Sequence, residues 1–215
     1  MERDLALKIA ERYANGSKAV RGYVAGKLRA DPVVSRLVDL GREDNFGRVV
    51  DIGCGRGQLG VALLESGAAS SVRGVDWDEA KIAAARSASA DLDVELEIGD
   101  VRTYALPSCD TVLAIDVLHY LPAADQEAVL VRAAQSASRR VLVRELDPDR
   151  GWRSALTRIQ EAVTTTFGYN AGERLVYLPI STLEKTLVAQ GFRTRVEPAW
   201  GGTPFANVLV VADRL

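Results

Sequence analysis

The sequence predicts an α/β protein in which a mostly parallel sheet is covered by helices on both faces. Short β-branched runs alternate with alanine-rich segments from residue 47 onward, as expected of repeated strand–helix–strand units. The apolar run 49–52 leads directly into alternating glycines, which is typical of a strand that turns tightly into a helix. A length of 215 residues is sufficient for one domain with a full core. We therefore expect a single domain over residues 1–215.

The first 46 residues predict helices that precede the sheet. These helices are expected at residues 2–14, at residues 17–29 with Ser17 as the N-cap, and from residue 31 to a stop at Gly41. Such helices are free to fold over one edge of the sheet. We therefore predict that residues 1–46 form a helical lid.

Residues 47–146 are predicted to hold the central strands and their crossover helices. The strands are expected at Val49–Ile52, Val72–Asp76, Val94–Ile98, Thr111–Ile115 and Arg140–Glu145, and the helices near residues 57–66, 79–90 and 123–137. Since the strands alternate with helices, they should run parallel, with their carboxyl ends at one edge.

Residues 147–215 depart from this regular alternation, and we expect them to add a lid insertion, a last helix and a hairpin. The predicted elements are a helix at 152–167, a loop at 169–179, a helix at 181–190 stopped by Gly191, and strands at Phe192–Val196 and Ala206–Ala212. The last two strands flank the turn-rich residues 201–204 and can pair antiparallel.

Charge and cysteine content exclude several classes of protein. The formal net charge is −2, which argues against a nucleic acid as the main substrate. The two cysteines form neither a C-x-x-C pair nor a cysteine/histidine cluster, so a disulfide framework or structural zinc is not expected. The amino terminus is charged and no apolar run is long enough for a signal or a membrane span. We expect a cytoplasmic protein without membrane insertion.

The glycine loop at residues 51–60 is the strongest motif of the chain. Its part G-R-G-Q-L-G satisfies the dinucleotide fingerprint, with Asp76 at about the expected distance, so an NAD(P)-dependent oxidoreductase is one interpretation. The acid Asp51 and the additional Gly53 favour a cationic ligand instead, because a pyrophosphate has no use for a carboxylate at the strand end.

The D-x-G-x-G-x-G pattern of residues 51–57 resembles motif I of the class I S-adenosylmethionine-dependent methyltransferases. The resemblance covers about residues 47–146 and implies a Rossmann-like, seven-stranded sheet in the order 3-2-1-4-5-7-6 with an antiparallel last strand. It also implies S-adenosyl-L-methionine as the cofactor. The cofactor-binding residues implied are Asp51, Gly53, Cys54, Gly55, Gly57, Asp76, Trp77, Asp100, Val101 and Asp116.

The resemblance gives separate roles to the acids that follow successive strands. Asp51 would act on the amino acid end of the cofactor and Asp76 on its ribose diol. Asp100 and the backbone amide of Val101 would bind adenine. Trp77 is expected either to pack on the adenine face or to be a partly exposed residue at a helix start.

Two residues after the fourth strand are candidates for catalysis. Asp116 opens the cleft where the methyl group should meet its acceptor. His119, the single histidine of the chain, has an unperturbed pKa near 6.5 that suits a general base. A histidine followed by an aromatic residue and Leu-Pro also occurs in small-molecule members of the family without serving as the base. No metal is expected, because the Asp-Asn pair of the catechol-type enzymes is absent.

The acceptor is predicted to be a small, aromatic or polyketide-like molecule, methylated on oxygen or carbon. The chain also looks similar to the small methyltransferases of bacterial aryl polyene and polyketide clusters, in residues 23–32, 143–145 and 151–154. This similarity implies an aromatic or carrier-tethered acceptor. The predicted lid segments also carry aromatic residues, which favour an aryl pocket or ordinary lid packing: Tyr13, Tyr23, Trp152, Phe167, Tyr169 and Tyr177. The alternatives are an NAD(P)-dependent oxidoreductase and a non-catalytic cofactor-binding module; the sequence gives no indication of oligomeric state.

Overall fold

The computed structural model describes residues 3–149, 175–201 and 206–215, and within these ranges seven strands form one sheet. The strands are β1 Arg48–Ile52, β2 Ser71–Asp76, β3 Val94–Ile98, β4 Cys109–Ile115, β5 Ala137–Leu146, β6 Phe192–Pro198 and β7 Asn207–Arg214. The helices are α1 Arg3–Glu11, α2 Lys18–Ala30, α3 Pro32–Glu43, α4 Gln58–Glu65, α5 Glu79–Ala88, α6 Ala123–Ser136 and α7 Ile180–Ala189, and a 3-10 turn spans Leu118–Tyr120.

The sheet has the predicted order, β3-β2-β1-β4-β5-β7-β6. The pairs from β3 to β5 are parallel, whereas β7 runs antiparallel to both β5 and β6. The fold class is therefore confirmed, including the antiparallel pairing of the last two strands. After β1 the chain continues to β2 on one side, and after the adjacent strand β4 it continues to β5 on the other side. This reversal places a crevice at the carboxyl ends of β1 and β4.

Two apolar layers cover the sheet, and neighbouring residues of one strand supply both. In β4, Val112 and Leu113 are each fully buried, but they belong to different layers because side chains alternate along a strand. Leu113 packs in the layer of α1 to α4, with Ile9 and Leu63, and Val112 packs in the layer of α6 and α7. The helices that precede the sheet thus share one continuous core with it.

The predicted start of α2 is confirmed, whereas the predicted end of α3 is wrong. The Ser17 side chain accepts a hydrogen bond from the Val20 amide and caps α2. Gly41 does not end α3, which continues to Glu43. A Cβ on Gly41 would lie 2.6 Å from the Ala68 Cβ, so this glycine lets the segment after α4 pack closely against α3. Gly191 follows α7 with φ +84°, as expected of a glycine that stops a helix.

Several predictions fall outside the described residues. These are the helix at 152–167 with Trp152 and Phe167, Tyr169 and the first part of the loop at 169–179, and turn residues 202–204. The end of that loop, residues 175–179, is irregular in the structure, as predicted. Across the parts of the chain that are described, no helix combines the length and apolar character that a bilayer span requires.

Candidate functional site

A cleft of about 540 Å³ lies at the carboxyl edge of the sheet. Its walls come from the segments after β1, β2, β3 and β4, and from α2 and α3. Parallel strands bring their carboxyl ends to one edge, so acids that are far apart in sequence meet there. The cleft is the structural counterpart of the site that the sequence predicts.

Asp51 is a buried acid beside this cleft. It lies in β1 between β2 and β4, and only 3% of its surface is exposed. Burial, together with the nearby Asp76, raises the pKa of Asp51 to about 7. Among the described residues, no group donates a hydrogen bond to its carboxyl. Because a largely desolvated carboxyl gains most from a charged hydrogen-bond donor, and Asp51 lines the cleft, this position favours a ligand that brings a cationic donor.

Asp76 holds the glycine loop against the end of β2. One carboxyl oxygen accepts a hydrogen bond from the Gly55 amide at 2.8 Å, and the other accepts from the Asp78 amide at 2.9 Å. Each carboxylate oxygen can accept more than one hydrogen bond, so Asp76 can still bind a pair of hydroxyl groups in the cleft.

Gly53, Gly55 and Gly57 of the loop all have positive φ, but they serve two different purposes. A Cβ on Gly53 would lie 2.3 Å from Val117, and one on Gly57 would lie 3.0 Å from Ala85 in α5. Both positions therefore permit close packing within the protein. A Cβ on Gly55 would meet no protein atom closer than the Asp76 carboxyl at 4.0 Å, and Gly55 lines the cleft. Gly55 leaves room for a ligand next to the backbone.

The structure brings nine of the ten predicted cofactor residues into the wall of the cleft. These are Asp51, Gly53, Cys54, Gly55, Asp76, Trp77, Asp100, Val101 and Asp116. Gly57 is the exception, because it is the N-cap of α4 and lies against Ala85 of α5.

Two of these nine residues lie at the open rim. Trp77 is 69% exposed and offers an uncovered aromatic face. Asp100 accepts hydrogen bonds from the Arg102 side chain at both carboxyl oxygens, which lowers the pKa of Asp100 below its usual range. The Asp100 carboxylate is thus held in place by Arg102, two residues later in the chain.

Asp116 belongs to a cluster of four charged side chains. Its carboxyl accepts a hydrogen bond from the Arg144 guanidinium at 2.9 Å and one from the Lys27 ammonium at 3.3 Å. Arg144 also donates to Asp31, at 2.7 Å. Burial by itself would raise the pKa of Asp116, but Arg144 and Lys27 bring it below the usual value. Asp116 is therefore ionised and engaged by two cations. Its backbone has φ +56°, a conformation that aspartate tolerates better than most residues.

His119 is buried, and its Nδ1 lies 2.6 Å from the Glu145 carboxyl, which is also buried. The second oxygen of Glu145 accepts from the Leu118 amide, and the Tyr177 ring stacks on the imidazole at 5.5 Å. His119 is not among the described residues that line the cleft. The role of His119 as a general base remains a prediction that this position does not favour.

Several residues of the cleft wall were not among the sites predicted from the sequence: Lys27 of α2, Val33 and Val34 of α3, and Tyr120 and Leu121 of the 3-10 turn and the residue after it. Tyr23 of α2, one of the predicted lid aromatics, also lies in the wall. The spacing of four residues places Tyr23 and Lys27 on one face of a helix, and this spacing is the sequence signal that could have placed Lys27 next to Tyr23. Which face of α2 meets the cleft depends on long-range packing.

The predicted lid aromatics that the structure describes have different environments. Tyr23 is 45% exposed at the cleft, and the Arg56 guanidinium lies over its ring at 5.1 Å. Tyr13 is buried and donates to the Arg56 carbonyl at 2.7 Å. Tyr177 packs on His119. Among these three residues, Tyr23 is the one that faces the cleft.

Known proteins resemble this chain in both sequence and structure. Residues 49–139 match a family model described as a methyltransferase domain. A curated trans-aconitate 2-methyltransferase of Mycolicibacterium gilvum is 37% identical over 76 residues, which are 35% of this chain. That aligned segment spans only 28% of the curated relative.

Solved structures extend the similarity to the whole fold. Magnesium protoporphyrin IX methyltransferase from Synechocystis PCC 6803, crystallised with bound SAH, aligns with a TM-score of 0.65 and 22% identity over 93% of this chain and 88% of that one. An O-methyltransferase family protein of Burkholderia thailandensis aligns with a TM-score of 0.70 and 20% identity over 94% of this chain and 61% of that one.

Proposed function

We propose that this chain is a class I S-adenosylmethionine-dependent methyltransferase that transfers a methyl group to a small-molecule acceptor. The acceptor is proposed to be aromatic or polyketide-like, with oxygen or carbon as the methylated atom. The observation that carries the proposal is the largely buried carboxyl of Asp51, which lines the cleft without a hydrogen-bond donor from the described residues, beside an open glycine backbone.

The residues of the cleft fit the cofactor of this family. Asp51 would bind the ammonium group of its amino acid end, and Gly55 leaves space beside the backbone. Asp76 has acceptor capacity for the ribose diol, and Trp77 has a free face for adenine. Gln58 also lines the cleft, and its buried Oε1 accepts no hydrogen bond from the described residues, so it can accept one from a ligand.

The protein's contribution to the reaction is then mainly geometric. S-adenosylmethionine supplies an activated methyl group on a sulfonium. The cleft has to align the acceptor with that methyl group and exclude water, which together supply a large rate enhancement through effective concentration. Val33, Val34, Val117 and Leu121 give the cleft apolar walls suited to this purpose.

The position of the acceptor follows from the order of the strands. The predicted cofactor residues other than Asp116 lie at or after the ends of β3, β2 and β1, whereas Asp116 and Val117 follow β4 on the other side of β1. We infer that the acceptor lies between the end of β4 and the helices α2 and α3. Tyr23 and Tyr120 at this end support an aromatic acceptor.

Calorimetric titration with S-adenosylhomocysteine, NAD and NADP tests the proposal against an oxidoreductase. Binding of S-adenosylhomocysteine without binding of either dinucleotide is expected. Binding of NAD with no response to S-adenosylhomocysteine would refute the methyltransferase function. A non-catalytic module would bind S-adenosylhomocysteine but transfer no methyl group to any supplied acceptor, which a mass-spectrometric assay of product detects.

A further inference from the structure

Lys27 extends from α2 into the acceptor end of the cleft. It lies four residues after Tyr23, and both line the cleft, so one helix face supplies an aromatic ring and an ammonium group. The Lys27 side chain is 29% exposed. Its nearest carboxyl belongs to Asp116, which follows β4. The ammonium therefore faces the place where the acceptor is proposed to lie.

The surrounding charges fix the ammonium without using all of its donors. Asp116 accepts from Lys27 at 3.3 Å, and the Asp31 carboxyl lies at 3.6 Å, beyond a normal hydrogen bond. An ammonium group has three N–H donors. Arg144 donates to both of the same carboxyl groups, at 2.7 and 2.9 Å. The acids are thus already neutralised in part by Arg144, and Lys27 keeps donors for another oxygen.

Lys27 stays charged in this position. Burial acts to lower the pKa of Lys27, but Asp116, Tyr23 and Asp31 raise it above its usual value. The other cations of the cleft wall are engaged elsewhere: Arg102 binds Asp100, Lys81 lies near Asp78, and Arg56 lies over the Tyr23 ring.

We propose that Lys27 selects acceptors that are oxyanions, either carboxylates or phenolates, by binding the charged oxygen. This inference rests on the proposed methyltransferase function and specifies its substrate class. It is also consistent with the absence of His119 from the described cleft wall, because an ionised oxygen needs no general base.

The reaction balances with an oxyanion acceptor. A bond forms between the acceptor oxygen and the methyl carbon while the carbon–sulfur bond breaks, and its electron pair leaves with sulfur. The negative charge of the oxygen and the positive charge of the sulfonium both disappear, and no proton is transferred. Lys27 orients the oxygen and holds it in the ionised form.

Matched pairs of charged and neutral ligands test the proposal on the protein saturated with S-adenosylhomocysteine. The first pair is the anion cinnamate with the neutral cinnamamide. The second pair is 4-nitrophenolate, at a pH that ionises the phenol, with the neutral 4-nitroanisole. Each probe is titrated by calorimetry. We expect about tenfold or stronger binding of the anion in at least one pair, and that pair identifies the type of oxyanion. K27M should abolish the preference and K27R should retain it. K18M, which removes an exposed lysine of the same helix, should leave it unchanged.

Four results would decide against the proposal or its premise. Equal affinity for both members of each pair, or a preference that survives in K27M, overturns the role of Lys27. If K27M and K27Q also lose S-adenosylhomocysteine binding, Lys27 supports the fold rather than acceptor choice, and the proposal again fails. Wild-type protein that does not bind S-adenosylhomocysteine at all would refute the proposed function itself.

Discussion

The Nδ1 atom of His119 lies 2.6 Å from a carboxyl oxygen of Glu145, and both side chains are buried. The pair joins the 3-10 turn after β4 to the neighbouring strand β5. Buried pairs of this kind are costly to break, because the remaining partner loses its compensation. The position of His119 therefore favours a structural role for the residue.

H119A is expected to lower the free energy of unfolding by about 3 kcal/mol, since Glu145 would lose its partner inside the protein. H119N retains a donor and should cost less. In H119N we expect kcat at saturating cofactor to stay within about threefold of wild type from pH 6 to pH 9. Chemical denaturation and initial-rate assays measure the two effects. A fall in kcat of about 100-fold in H119N with unchanged stability would instead identify His119 as the general base.

The affinity for S-adenosylhomocysteine should rise about tenfold between pH 6 and pH 8. The pKa of Asp51 is about 7 in the protein without ligand, and only the ionised carboxylate attracts the ligand's ammonium group. In D51N the affinity should be lower at pH 8 and nearly independent of pH. D93N, which changes an exposed aspartate outside the cleft wall, is the control. Calorimetry over this pH range tests the prediction, and an equally steep profile in D51N would contradict it.

Asp51 should also make the unliganded protein less stable as pH rises from about 4 to 7. The folded protein keeps the Asp51 proton up to about pH 7, whereas the unfolded chain loses it near pH 4, so the folded state binds more protons in this range. The free energy of unfolding of wild type relative to D51N should therefore decrease over this window. Urea denaturation at several pH values measures it. A difference that stays constant from pH 4 to pH 7 would show that Asp51 is already ionised.

Gly55 and Gly67 form a matched pair for testing the space reserved for the cofactor. Both have positive φ, and no protein atom lies within 4 Å of a Cβ on Gly67. Each alanine variant should cost about 1–2 kcal/mol of stability from backbone strain. Only G55A should also weaken S-adenosylhomocysteine binding, by about tenfold, because its methyl group enters the cleft. Equal affinities in G55A and G67A would argue against a ligand at the loop.

D116N should lower the free energy of unfolding by about 1–3 kcal/mol at pH 7, because Arg144 and Lys27 lose a charged partner. Asparagine tolerates the positive φ of this position, so the substitution isolates the charge. The pKa of Asp116 is lowered in the folded protein, so its contribution is complete at neutral pH and is lost as pH falls below about 4. The difference between wild type and D116N should therefore shrink in acid. A difference that does not change down to pH 3 would assign the effect to packing instead.

Local sequence patterns were sufficient to predict a feature where a structural rule acts within one element or between neighbouring strands. The acids Asp51, Asp76, Asp100 and Asp116 could be placed together because parallel strands bring their ends to one edge. The capping role of Ser17 depends on a residue only three positions away. Such rules need no knowledge of the rest of the chain.

Local sequence patterns were not sufficient where contact with a distant segment decides the structure around a residue. Gly41 has the signature of a helix stop, but Ala68 packs against it and the helix continues. Histidine is a residue type that suits a general base, but Glu145 engages the His119 ring inside the protein, so the base role stays a prediction. In each case the deciding residue is more than 20 positions away, and sequence periodicity contains no information about it.

The sequence by itself determined the sheet order, through the alternation of elements and the family resemblance, and it predicted most of the acids and glycines that line the cleft. Only the tertiary structure decided the end of the cleft where the acceptor is proposed to lie. Lys27 meets Asp116 across 89 positions, and Asp31 meets Arg144 across 113. The physical reason is that the glycine loop is built by the backbone of one strand and one helix, whereas the acceptor wall depends on how α2 docks on the sheet.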